Sequence, residues 1–227
     1  MKKWIKIERI PGVLASSYEK ATRLAIESYY RQVAEEVVSV FKEGTMLDLG
    51  TGPGNLPIEL SKRAPEIQVV GIDLSRRLIN MARTRAKSAN LSNQLSFEVA
   101  NAANLRFDDE SFDMIISTGM LHSLKSPSKV LKEIHRVLKQ SGEAWIFDPA
   151  KVIQHIDKRQ WRDSLNQRER FFLWLFGLLG LRKPIVLYSR EEMVPLIEAA
   201  GFISYTVDEG DGEIRIKMKK QPKIKTR

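Results

Sequence analysis

One ten-residue stretch constrains this chain more than any other: Met46–Asn55, MLDLGTGPGN. An apolar strand ends in an acid-bearing step, Asp48, and runs into Gly50, Gly52 and Gly54 ahead of a helical segment. Closely spaced glycines let the backbone turn sharply and approach a ligand that a Cβ would hold off. The helix that follows opens with unpaired N–H groups. Asp73 ends the next apolar run, GID, 19 residues after Gly54. An acid there can accept from both hydroxyls of a ribose, so the spacing describes a site for an adenosine-containing cofactor at the carboxyl ends of parallel strands.

The rest of the chain supplies those strands. Apolar periodicity predicts a helix over 17–42, then alternating strands and helices. The strands are Thr45–Leu49, Val69–Asp73, Leu95–Val99, Met114–Thr118 and Glu143–Asp148; the helices are Leu56–Arg63, Arg76–Ala89 and Ser128–Lys139, the last closed by Gly142. After Pro149 the alternation stops, and residues 150–186 read as an insertion. Tyr188–Gly201 resumes as a helix, with Ser189 and Glu192 spaced as a capping box, Pro195 an awkward interior proline and Gly201 at the C-cap. Ile203–Val207 and Glu213–Met218 flank DEGDG, a hairpin turn. Strands alternating with helices imply an α/β fold with a mostly parallel sheet covered by helices on both faces. At 227 residues, the chain is expected to be a single domain, with an N-terminal helical cap over 1–43 and a helical lid over 150–186.

The chemistry of the glycine turn discriminates between cofactors. Its spacing is G-x-G-x-G, and the third glycine of the dinucleotide fingerprint is replaced by Asn55. A pyrophosphate is repelled by Asp48, whereas the ammonium of an amino-acid end pairs with it. That combination points to S-adenosylmethionine (SAM).

At this point LDLGTGPG resembles the first motif of the class I SAM-dependent methyltransferases. The similarity continues in order through GIDLS, FEVANAANLRFDDESFDMIISTGMLHSL and VLKEIHRVLKQSGEAWIFDP, covering roughly residues 20–149, and returns in SREEMVPLIEAAGF. Many small-molecule enzymes share these motifs, the ubiquinone/menaquinone C-methyltransferases being the nearest in flavour. The resemblance implies a Rossmann-like, seven-stranded sheet whose last strand is antiparallel and inserted between the fifth and sixth. It implies SAM as cofactor, with S-adenosylhomocysteine as product. It places Gly50, Thr51, Gly52 and Gly54 around the methionine part, Asp48 beneath the amino group, Asp73 on the ribose and Leu74 beside the adenine. It places Asn101 and Ala102 at the adenine edge, where the family usually carries aspartate, and Thr118 near the sulfonium. Tyr18 and Tyr29 belong to the segment that closes over SAM in many relatives.

Other residues have weaker claims. His122, in GMLHSL, stands near the expected methyl group and is a candidate general base. His135 is expected at the surface of its helix, and His155 opens the insertion. The insertion holds eight Lys/Arg, three acids, Trp161 and the 11-residue apolar run Phe171–Leu181. Such a mixture suits a lid that excludes water over a small apolar or anionic acceptor, or a dimer seam or membrane-surface contact. The run is too short to span a bilayer, which needs roughly 20 residues, and the N-terminus lacks the apolar core of a signal peptide; a cytoplasmic protein is expected. The net charge of +9 gathers in residues 1–9 and 217–227, where it reads as solvated ends before it reads as a phosphate anchor. RNA or protein methylation, and a non-catalytic SAM-binding module, are therefore the alternatives. With no cysteine, thiolate metal sites and cysteine nucleophiles are excluded, and no metal is called for.

Overall fold

The computed structural model describes residues 15–150, 187–210 and 212–222, with side chains from residue 28 onward. Of the expected lid over 150–186, residues 151–186, with His155, Trp161 and the apolar run, lie outside the described residues, as does the side chain of Tyr18.

After helix α1 (Ala15–Val40) the chain alternates strand and helix: β1 (Gly44–Leu49), α2 (Asn55–Arg63), β2 (Ile67–Asp73), α3 (Arg76–Ser88), β3 (Leu95–Val99) and β4 (Phe112–Thr118). A 3-10 turn at Leu121–Ser123 leads to α4 (Pro127–Val137) and β5 (Leu138–Pro149). The described chain ends with α5 (Arg190–Ala199), β6 (Ser204–Gly210) and β7 (Glu213–Lys219). The sheet has seven strands in the order β3-β2-β1-β4-β5-β7-β6, and β7 runs antiparallel to both neighbours. The order reverses between β1 and β4. In open parallel sheets the strand ends at such a reversal leave a crevice where ligands bind.

Apolar residues on both faces of the central strands explain why both must be covered. Leu47, Leu49 and Ile115 are buried with Val130, Ile134 and Phe202 on the α4/α5 face. Met46, Met114, Ile116 and Phe147 are buried with Val33, Val37, Leu60 and Ile79 on the α1–α3 face. The cap helix is tied to the far side of the sheet by charge: Glu36 receives Lys217 at 2.8 Å and Arg215 at 3.2 Å. The Lys217 ammonium also lies 3.7 Å from the centre of the Trp145 ring, a cation–π contact.

Three local expectations need correction. The helix predicted to run to Lys139 ends at Val137, and Leu138 already pairs with Phe112 as the first residue of β5. Gly142 is therefore no helix cap. It lies in an irregular stretch of β5 beside Ser141 (φ 63°), where a Cβ would stand 2.8 Å from the Asp113 carbonyl oxygen. The apolar pattern runs unbroken through Leu138 because its side chain is buried in either conformation. His135 is half-buried rather than a surface residue: its ring meets Phe202 edge-on at 4.9 Å and sits over Gly201. Burial lowers its pKa, with Lys220 acting in the same direction. Pro195 is accommodated inside α5, and the capping box of Ser189 and Glu192 is present.

Candidate active site

The site is built on the carboxyl ends of β1, β2, β4 and β5. Gly50 and Thr51 both donate their N–H to the Ile72 carbonyl at 2.9 Å, which folds the loop over the end of β2. Gly50, Gly52 and Gly54 have φ of 75°, 54° and 78°, values that side-chain-bearing residues adopt only at a cost. Their surroundings differ. A Cβ on Gly54 would press on Ala82 at 3.0 Å and Phe97 at 3.2 Å, so this glycine serves packing. Beside Gly52 and Gly119 nothing among the described residues lies within 4 Å, and at these two places bare backbone borders open space among them. Arg85 pins the loop from outside by donating to the Pro53 carbonyl at 3.1 Å and to Asn55 Oδ1 at 2.5 Å.

Asp48 lies under this loop, 1% exposed. Its Oδ1, like the Thr51 hydroxyl, is buried with no hydrogen-bond partner among the described residues. Burial pushes the Asp48 carboxyl up to about 7, and the charge of Asp73 acts in the same direction. The Thr51 hydroxyl stands outside hydrogen-bond geometry and opposes the shift without cancelling it. A buried carboxylate with an unused oxygen is costly. A cation delivered by a ligand removes that cost. Asp73 is half-buried; its Oδ2 accepts from Gly52 N at 3.1 Å and its Oδ1 from Ser75 N at 2.7 Å. The carboxylate thus joins the glycine loop to the start of α3, and burial raises its pKa against both bonds. Leu74, half-buried, follows it.

Asn101 is exposed, and Ala102 is buried. Asn101 Oδ1 already accepts from Ala103 N at 2.9 Å, so its side chain shapes its own turn and only the remaining lone pair is open to an adenine edge. The loop beyond is held by a pair that sequence reasoning missed. Glu133 Oε2 accepts from Leu105 N at 2.7 Å, and Arg136 donates to the carbonyls of Leu105 and Phe107 at 3.0 and 2.8 Å. The two residues are three apart on α4, a spacing that marks an ion pair but not what it clamps.

Thr118 is buried at the end of β4. Gly119 N donates to the Phe147 carbonyl at 2.8 Å, and Met120 packs where a Gly50 Cβ would be, 3.0 Å away. His122 follows, half-buried, with Nδ1 2.9 Å from Asp148 Oδ1. Asp148, at the end of β5, is 2% exposed and was not among the expected site residues. Tyr29 does not lie free to close over a ligand: its hydroxyl donates to Glu213 Oε1 at 2.7 Å, on the β7 residue that pairs with Pro149. Burial and that carboxylate raise the pKa of the phenol.

Comparison with known proteins bears on the family and the fold. The family described as methyltransferase domain matches residues 41–180. This chain belongs to the methyltransferase-domain family. It is 30% identical over 147 residues to a ubiquinone/menaquinone biosynthesis C-methyltransferase of Geobacter sp. (strain M21), and the match spans 63% of each chain. It is 28% identical over 188 residues to the demethylmenaquinone methyltransferase of Lactobacillus johnsonii, covering 77% of this chain and 75% of that one. Among solved structures, a SAM-dependent methyltransferase from Aquifex aeolicus superposes with a TM-score of 0.67 at 22% identity, covering 93% and 99% of the two chains. Phosphoethanolamine N-methyltransferase 2 of Haemonchus contortus, solved with SAM, gives 0.63 at 16%, covering 85% of this chain and 52% of that one. These likenesses bear out the fold of this methyltransferase domain: a Rossmann-like, mostly parallel seven-stranded sheet. None of its described helices is long and apolar enough to cross a membrane.

Proposed function

We propose that this methyltransferase domain transfers the methyl group of SAM to a small-molecule acceptor. The observation that carries the reading is Asp48, a buried carboxylate that has, among the described residues, an oxygen without a partner and above it a loop whose Gly52 backbone borders open space. The residues fit the cofactor. Asp48 would face the amino group, Gly50, Thr51, Gly52 and Gly54 the methionine chain, Asp73 the ribose hydroxyls, and Leu74, Asn101 and Ala102 the adenine. Thr118 and Gly119 would border the sulfonium. When bound, SAM supplies an electrophilic methyl group on a cationic sulfur. The protein's part is to orient it and to exclude water, and a displacement of this kind gains most from positioning.

The names of the quinone-pathway relatives favour a small acceptor over RNA or protein and make a reduced quinone the first to try. The test is direct. Purified protein is titrated with SAM by calorimetry and then incubated with methyl-labelled SAM and cell extract, and the label is fractionated. Tight binding with label in the organic-soluble or small-molecule pool is expected. Label in RNA or protein would overturn the acceptor class, and failure to bind SAM would overturn the reading itself.

A further inference from the structure

A second buried carboxylate stands at the same sheet edge, and SAM binding as proposed above does not use it. Asp148 closes β5 with its side chain 1% exposed. Its Oδ1 accepts from the backbone N–H of His122 at 3.1 Å and lies 2.9 Å from His122 Nδ1. Its Oδ2 is buried with no hydrogen-bond partner among the described residues. A carboxylate only accepts, so Nδ1 carries the proton and the basic lone pair is left on Nε2, across the ring. The turn that carries the ring is itself fixed. The 3-10 turn is closed by Ser123 N and Ser123 Oγ, both donating to the Met120 carbonyl, at 2.9 and 2.7 Å. Leu121, the residue before the histidine, is buried at 2% exposure. His122 is itself 26% exposed and lies two residues beyond Met120, which packs against Gly50 of the cofactor loop.

We propose that His122 is a catalytic base and Asp148 its positioning residue, and that the acceptor therefore carries a hydroxyl on an unsaturated carbon: a phenol, a quinol or an enol. The assignment rests on the SAM-dependent reading given above. A neutral amine attacks through a lone pair it already has and sheds its proton to water afterwards. A phenolic hydroxyl is a poor nucleophile until it loses its proton, and an imidazole oriented by a carboxylate is suited to remove it. The step balances as follows. His122 Nε2 takes the O–H proton. The freed electron pair forms the new bond to the methyl carbon, from oxygen or from the ring carbon conjugated with it. The methyl–sulfur bond breaks, and its pair stays on sulfur as a neutral thioether. At carbon, the displaced ring proton leaves to water as conjugation is restored. The Asp148 charge holds the imidazolium until it loses its proton to solvent.

The whole protein is tested with methyl-labelled SAM and three probes: naphthohydroquinone kept reduced, the catechol caffeate, and histamine. Label is expected on at least one hydroxyl probe and not on histamine. His122→Gln should lower kcat about 100-fold or more, with SAM affinity and probe KM within about threefold. Nitrogen-15 NMR of wild-type His122 should show Nδ1 protonated and Nε2 bare, and Asp148→Asn should shift that tautomer balance and lower kcat with it. A wild-type ring protonated at Nε2, a His122→Gln enzyme within about threefold of wild type, label on histamine alone, or SAM bound with no label on either hydroxyl probe would each overturn the proposal. Loss of SAM binding in the wild type would instead remove the reading on which it rests.

Discussion

Asp48 and Asp148 occupy equivalent places on the two sides of the strand-order reversal. Each ends or nearly ends a parallel strand, each is almost wholly buried, and each keeps one oxygen without a partner among the described residues. Their surroundings separate them. Asp48 has no cation in reach among the described residues and a second acid, Asp73, nearby, and its pKa rises to about 7. Asp148 has an imidazole at 2.9 Å. One carboxylate thus waits for a charge that a ligand must bring, and the other already holds a group that can accept a proton. On the readings proposed above, the β1/β2 half binds a cation and the β4/β5 half moves a proton.

The sharpest way to break this comparison is Asp48→Asn, which keeps shape and removes charge. Losing one partner of a buried charge pair costs about 2 kcal/mol or more, so SAM affinity should fall about 30-fold or more by calorimetry. In the wild type, SAM affinity should rise with pH up to about 7 as the carboxyl ionises. Binding at lower pH should release a proton, detectable in buffers of different ionisation enthalpy. The ligand-free protein should show the opposite sign. A raised carboxyl contributes stability that is complete below its ordinary value of 3.8 and lost as pH climbs to about 7. Both dependences should vanish in Asp48→Asn; if they persist, the cation-binding role belongs elsewhere.

A smaller effect separates packing from ligand contact among the glycines. A Cβ on Gly71, a position the sequence did not mark, would stand 2.7 Å from both the Phe97 ring and the Thr51 hydroxyl. Gly71→Ala should cost about 1–3 kcal/mol by overpacking, lowering Tm by about 2–4 °C per kcal/mol. Gly52→Ala meets nothing within 4 Å among the described residues; it should cost about 1 kcal/mol from its positive φ and act chiefly on SAM affinity. Equal losses of stability in the two variants would remove the distinction. The smallest change expected is at the cap: Tyr29→Phe loses one hydrogen bond to Glu213, worth about 1 kcal/mol in thermal unfolding, with SAM affinity unaltered. A marked rise in SAM Kd would mean that α1 belongs to the cofactor half after all.

The sequence by itself determined the fold class and the placing of the proposed cofactor residues at one sheet edge. Strand, glycine turn, helix and the acid ending the next strand are local features with fixed spacings, and a parallel β-α unit carries them to one edge whatever lies elsewhere. The helix predicted to Lys139 overran by two residues, because burial of Leu138 looks the same in the last turn of a helix and the first step of a strand. The β4/β5 half was different. His122 was legible as a titratable group near the site, but its partner lies 26 residues on, in an apolar run where Asp148 looked like one more strand-ending acid. Glu133 and Arg136 likewise read as an ordinary helix pair. Only the tertiary structure decided that β5 lies beside β4, so that its last carboxylate meets the turn after β4, and that α4 packs where its ion pair can hold the loop after Ala102. Local spacing fixes contacts made within one β-α unit; contacts between strand ends far apart in sequence depend on strand order, which no single segment encodes.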